Sequence, residues 1–164
     1  ARDFRWIVDQ VSLPADIDAV AIAPYFAYQI TDRSSVEAVL DQCATSIKDV
    51  GEQIKAWKSV CDEMGLELTA YEGGQHLAAT PAEQNDASIV NLYVAANRHP
   101  RMYDLHRDYL GQWNQLTDRA VLCLFNSVYP PGRFGSWGLL EYEGQDPAKA
   151  PKYRAVLDHL GTKQ

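Results

Sequence analysis

Glu72 is the residue of this chain whose setting most suggests chemistry. It closes the apolar run Leu66-Glu67-Leu68-Thr69-Ala70-Tyr71 and opens onto Gly73, Gly74, Gln75 and His76. A carboxylate at the C-terminal end of a buried strand stands where open α/β sheets and barrels keep their functional groups. The two glycines let the backbone and a ligand approach closely. Gln75 and His76 add side-chain hydrogen-bonding groups beside Glu72. A second cluster surrounds Trp137, flanked by Gly135, Ser136 and Gly138. A flat indole in such a loop is suited to stacking on a ligand. Asn126, at the end of Ala120-Val121-Leu122-Cys123-Leu124-Phe125-Asn126, points toward the same rim.

Plainer roles stay open for each of these residues. Glu72 could cap a helix or face solvent, and His76 could be a structural loop imidazole. Trp137 could plug the end of a barrel, and Asn126 could satisfy loop backbone. Glu141 and Glu143 flank Tyr142 as further carboxylates, but they follow Trp137 in a segment read as running away from the site.

The elements that must position these groups follow from hydrophobic periodicity. Ala1–Leu13 reads as a short amphipathic segment, with Phe4, Ile7, Val8 and Val11 at helical spacing. Asp18–Phe26 reads as a buried strand that Pro24 brings to an end. Ser34-Ser35-Val36-Glu37 is a capping-box pattern, and apolar positions from Val36 to Met64 predict one long helix stopped by Gly65. A second strand over 66–72 delivers Glu72. A helical region over 85–115 is interrupted at Pro100. Ala120–Asn126 reads as a third strand, and Pro151–Leu160 as a last helix. The order α-β-α-β-α-β-α, with long helical crossovers, predicts a parallel sheet with right-handed connections.

The chain has 164 residues, 46% of them hydrophobic and 23% charged, with a net charge of −7. That length fits a single domain, 1–164, with a real core. The negative balance argues against sequence-independent nucleic-acid binding, which needs a basic surface. Nothing approaches the ~18 apolar residues of a membrane span. The N-terminus ARDFRWIVDQ has no apolar stretch of the signal-peptide kind. Cys43 and Cys61 lie on one predicted helix, roughly 27 Å apart at about 1.5 Å per residue, far beyond the ~7 Å limit for a disulfide. Together with Cys123 they are expected to be core thiols. No Gly-rich phosphate loop, HExxH or Asp-rich calcium loop is present, so neither a metal nor a cofactor is expected.

YEGGQHL after a strand, and FGSWGLLEYEGQDPAKAPKYRAVLDHL near the C-terminus, resemble the last portion of (β/α)8-barrel glycoside hydrolases of the large retaining clan. The resemblance covers nearly the whole chain and about strands six to eight of the family's barrel. It implies an α/β fold: a partial (β/α)8 (TIM) barrel of about three βα units with a parallel sheet. It also implies that Glu72 is the nucleophile, that Trp137 floors the sugar subsite, and that Tyr25 in IAPYFA positions the nucleophile. The family's acid/base, a Glu usually preceded by Asn at the end of strand four, has no counterpart, and the chain contains no Asn-Glu dipeptide.

The resemblance therefore implies a carbohydrate-active protein, inactive as an isolated chain. The alternative is a non-catalytic half-barrel module that binds carbohydrate or assembles. The implied partners are an oligo- or polysaccharide and either a second copy, most simply in a dimer, or the missing N-terminal part of the barrel.

Overall fold

A computed structural model of the chain describes residues 17–161. The amphipathic segment expected at Ala1–Leu13 lies outside them. The longest element is α1 (Val36–Met64), and both of its ends are set by local chemistry. Ser35 is extended and its hydroxyl accepts from the Ala38 amide at 3.1 Å, while Gly65 takes a left-handed φ of 70° at the other end. A side chain would be strained there. Glu37 does not fold back to complete the capping box; its carboxylate goes to Arg101 instead. Val39, Leu40, Cys43, Ile47, Val50, Ile54 and Cys61 form the buried stripe of α1.

Pro100 splits the next helical region into α2 (Ala87–Arg98) and α3 (Arg101–Thr117). Asp86 caps α2 by accepting from the Ser88 amide at 2.9 Å. α3 buries Met102, Leu105, His106, Tyr109, Leu110 and Trp113, and packs on both α1 and α4 (Pro151–His159). No helix among the described residues is long and apolar enough to cross a membrane.

The strands are short and parallel. β1 (Ala19–Ile22) pairs with β3 (Glu67–Ala70), and β2 (Tyr25–Phe26) pairs with β4 (Gly74–Gln75). The first expected strand is thus split at Ala23-Pro24, while the second, expected over 66–72, stops at Ala70, and β4 forms beyond it where no strand was expected. Pro24 has no N–H to give to a ladder, and the facing chain bends beside it at Tyr71 and Glu72.

The third expected strand is reduced further. Residues 120–126 form no strand, only a parallel bridge from Leu122 to Ala70. The Ala70 amide donates to the Val121 carbonyl, the Cys123 amide to the Ala70 carbonyl, and the Phe125 amide to the Gly73 carbonyl. The segment follows its neighbour, but the bend at 71–72 interrupts the run of bonds that a strand requires.

Side chains alternate across this surface as the pleat dictates. Val20, Leu68 and Ala70 are buried in the helix-covered core, with Leu122 and Leu124 packed against it. Ala19, Ala21, Tyr71, Val121, Cys123 and Phe125 are exposed. Cys43 and Cys61 are core thiols as expected, whereas Cys123 is exposed because position 123 shares the outward parity of 121 and 125. The architecture is mixed α/β, with four helices and short parallel sheets among the described residues.

Candidate functional site

The break between β1 and β2 decides where Tyr25 goes. The Pro24 carbonyl accepts from the Tyr109 hydroxyl of α3 at 3.0 Å, and Tyr25 follows as the first residue of β2. Across the ladder, β3 ends at Ala70 and the bend carries Glu72 to the same level. Tyr25 and Glu72 line one cleft of about 850 Å³, together with Tyr28, Gln29, His76 and residues of α1. All of this lies beyond the C-terminal ends of β1 and β3.

The Tyr25 hydroxyl lies close enough to Glu72 for the carboxylate to oppose its ionisation. Burial raises the Tyr25 pKa first, and the charge of Glu72 raises it further. The phenol therefore keeps its proton and can hold the carboxylate in place as a donor. Burial lowers the His76 pKa, partly opposed by the charge of Glu72. The imidazole is held toward its neutral form, and its buried Nδ1 has no partner among the described residues.

Rings line the rim beside the carboxylate. Trp137 lies 4.8 Å from His76, 5.9 Å from Tyr25 and 5.8 Å from Phe125 between ring centroids, in edge-to-face arrangements. Tyr28 extends the group, 4.7 Å from His76. The Trp137 indole N–H donates to the Phe134 carbonyl at 2.6 Å, which fixes the ring within its own loop.

Five of the six residues singled out from the sequence gather here in different ways. Glu72, Tyr25 and His76 line the cleft, and Trp137 packs against Tyr25 and His76. Asn126 joins through its backbone: its amide donates to the Trp137 carbonyl at 3.2 Å and its carbonyl accepts from Leu139 at 2.8 Å. Its buried Oδ1 has no partner among the described residues. Gln75, read from sequence as ligand-facing, is instead 2% exposed and does not line the cleft. Its amide is engaged by the Leu77 amide and the Ser136 carbonyl.

Gly73 also has a different reason from the one expected. A Cβ there would stand 2.6 Å from the Tyr109 hydroxyl. The close approach is to a buried tyrosine, not to a ligand.

The cleft wall supplied by α1 is absent from the sequence reading. Gln42, Thr45, Ser46, Asp49 and Gln53 line it. Their three- and four-residue spacing beside the apolar stripe is the signal that could have found them. The Ser46 hydroxyl accepts from the Ala27 amide at 2.8 Å and so ties down a residue at φ 61°. Among the described residues, Asp49 and Glu72 are the carboxylates that line the cleft. Glu141 is elsewhere, bonded through both oxygens to Arg98 at 2.7 and 2.8 Å. No group of three or more His, Cys, Asp or Glu among the described residues could hold a metal ion.

What the arrangement can do follows from its parts. A carboxylate steadied by a protonated phenol can attack an electrophilic carbon or accept a proton. Aromatic rings beside it can hold a flat, partly apolar ligand. A scan against protein-family models finds no match for this chain, and searches of curated proteins and of solved structures find no match either.

Proposed function

We propose that this chain is the C-terminal part of a retaining glycoside hydrolase of the (β/α)8-barrel type, corresponding to about strands six to eight. Glu72 is its nucleophile, Tyr25 orients that carboxylate, and Trp137 with His76 walls the sugar subsite. The observation that carries this reading is a carboxylate in the bend just after β3, coupled electrostatically to a tyrosine and beside a group of rings, beyond the C-terminal ends of the parallel strands β1 and β3. Retaining chemistry uses one carboxylate to attack the anomeric carbon and a second carboxyl group, about 5–5.5 Å away, to protonate the leaving oxygen. Glu141 is held by Arg98, and Asp49 stands on the long helix, not at a strand end. The acid therefore belongs to a part of the barrel outside this chain.

The same surface supports the assembly half of the reading. Among the described residues β1 pairs only with β3, and an apolar groove of about 520 Å³ runs along it, lined by Ala19, Ala21, Ile22, Trp57 and Tyr71. Either a second copy or the N-terminal part of the barrel covers this side.

Heteronuclear NMR with cellohexaose, xylohexaose and laminarihexaose tests the sugar site. At least one should shift the Trp137 indole signal, and Trp137→Ala should weaken that binding by roughly 10- to 100-fold, the equivalent of about 1–3 kcal/mol. Three glycans that leave Trp137 and His76 unmoved would contradict the reading.

A further inference from the structure

Two donors converge on one carbonyl next to Trp137. The Ser136 carbonyl accepts from the Gln75 amide at 2.5 Å and from the Lys152 ammonium at 2.6 Å. All three residues are buried, at 2% exposed for Gln75 and Ser136 and 3% for Lys152. Gln75 belongs to β4 and immediately precedes His76. Lys152 is the second residue of α4 and does not line the cleft. The loop that carries Trp137 is thus pinned from two sides at the residue before the indole. A hydrogen bond from a cation is about twice as strong as one from a neutral donor, so Lys152 is the stronger pin while it is charged.

We propose that Lys152 is a positioning residue for the cleft, holding Trp137 in place through the Ser136 carbonyl, and that its proton controls how firmly the indole is held. Glu141, held by Arg98 of α2, favours the ammonium, but burial outweighs it and lowers the Lys152 pKa to about 7. Lys149 and Asn97 line the same small hollow. His106 of α3 is kept neutral: burial and the Lys152 charge lower its pKa to about 3. Near neutrality Lys152 is the group of this cluster that changes charge. The ionisable groups packed on the indole itself are His76 and Tyr25, and the Tyr25 phenol keeps its proton throughout this range. Because the folded pKa of Lys152 lies below its unfolded value, the buried charge costs stability below about pH 7, and that cost disappears as pH rises. The pin and global stability therefore respond to pH in opposite directions.

The test is fluorine NMR of the full chain labelled with 5-fluorotryptophan, from pH 5.5 to 9, with the Trp137 signal assigned by Trp137→Phe. The wild-type Trp137 resonance should step with a midpoint near pH 7. Lys152→Met should hold it at the high-pH position throughout, while melting no earlier than wild type at pH 6. Gln75→Leu, which leaves Lys152 as the sole pin, should enlarge the step. A flat wild-type resonance would overturn the proposal, as would a step that persists in folded Lys152→Met, since His76 would then be its source.

The consequence for ligand rests on the carbohydrate reading: a hexaose that binds should lose roughly 3- to 10-fold in affinity from pH 6 to 8.5, and Lys152→Met should abolish that dependence. A Trp137 step in a chain that binds no glycan would support the positioning role and sink the carbohydrate reading.

Discussion

Tyr25 and Glu72 form the pair on which the site depends, and their coupling can be measured without any ligand. Burial opposes ionisation of the Tyr25 phenol first, and the nearby charge of Glu72 adds to that opposition. Glu72→Gln removes the charge but leaves the burial. The Tyr25 titration, followed through a ring-labelled tyrosine, should therefore move to lower pH while staying above that of a free tyrosine. An unmoved titration would mean that the two side chains do not touch in solution. Glu72, Tyr25, His76 and Trp137 were legible because each stands at a strand end or in a glycine-bounded loop, where residue type and position point the same way. Gln75 was misread for a physical reason. An amide beside an apparent site looks ligand-facing in a sequence, but the pleat turns it inward, where the Ser136 carbonyl and the Leu77 amide need partners.

At the scale of elements, the bend between β3 and β4 rests directly on α3. The Tyr109 hydroxyl fills the space that a side chain at position 73 would take, while donating to the Pro24 carbonyl. Gly73→Ala should cost about 1–3 kcal/mol, the usual range for overpacking a filled core. Adding Tyr109→Phe should recover part of that loss, because the hydroxyl is the colliding atom. Chemical denaturation of the two single variants and the double variant measures this, and strict additivity would refute the contact. The helices were readable almost to the residue, since Ser35, Gly65 and Pro100 act through local backbone chemistry. The strands were not. Val121 to Phe125 has the composition of a strand, yet a continuous ladder requires a straight neighbour, and the bend at Tyr71 and Glu72 is set by the facing Pro24 and by Tyr109. The α1 wall of the cleft, with Asp49 and Gln53, became visible only once the helix was laid beside Tyr28.

For the whole molecule, the side of the parallel surface that no described residue covers is the dominant fact. Tyr71, Val121 and Phe125 are 60%, 65% and 42% exposed there, and contiguous apolar patches beyond a few hundred Å² are uncommon on soluble monomers. The isolated chain should therefore be a dimer, the commonest closed assembly; light scattering giving a monodisperse species of 18.4 kDa would refute that. On the proposed reading Glu72 is the nucleophile, and a nucleophile can be trapped without its acid when the leaving group needs no protonation. The decisive measurement is peptide mass spectrometry after incubation with 2,4-dinitrophenyl 2-deoxy-2-fluoro glycosides of glucose, xylose and mannose. The expected result is one covalent glycosyl adduct on Glu72, lost in Glu72→Gln and slowed in Tyr25→Phe. A chain that stays unlabelled with all three sugars, or an adduct on Asp49 or Glu141 in place of Glu72, would contradict it.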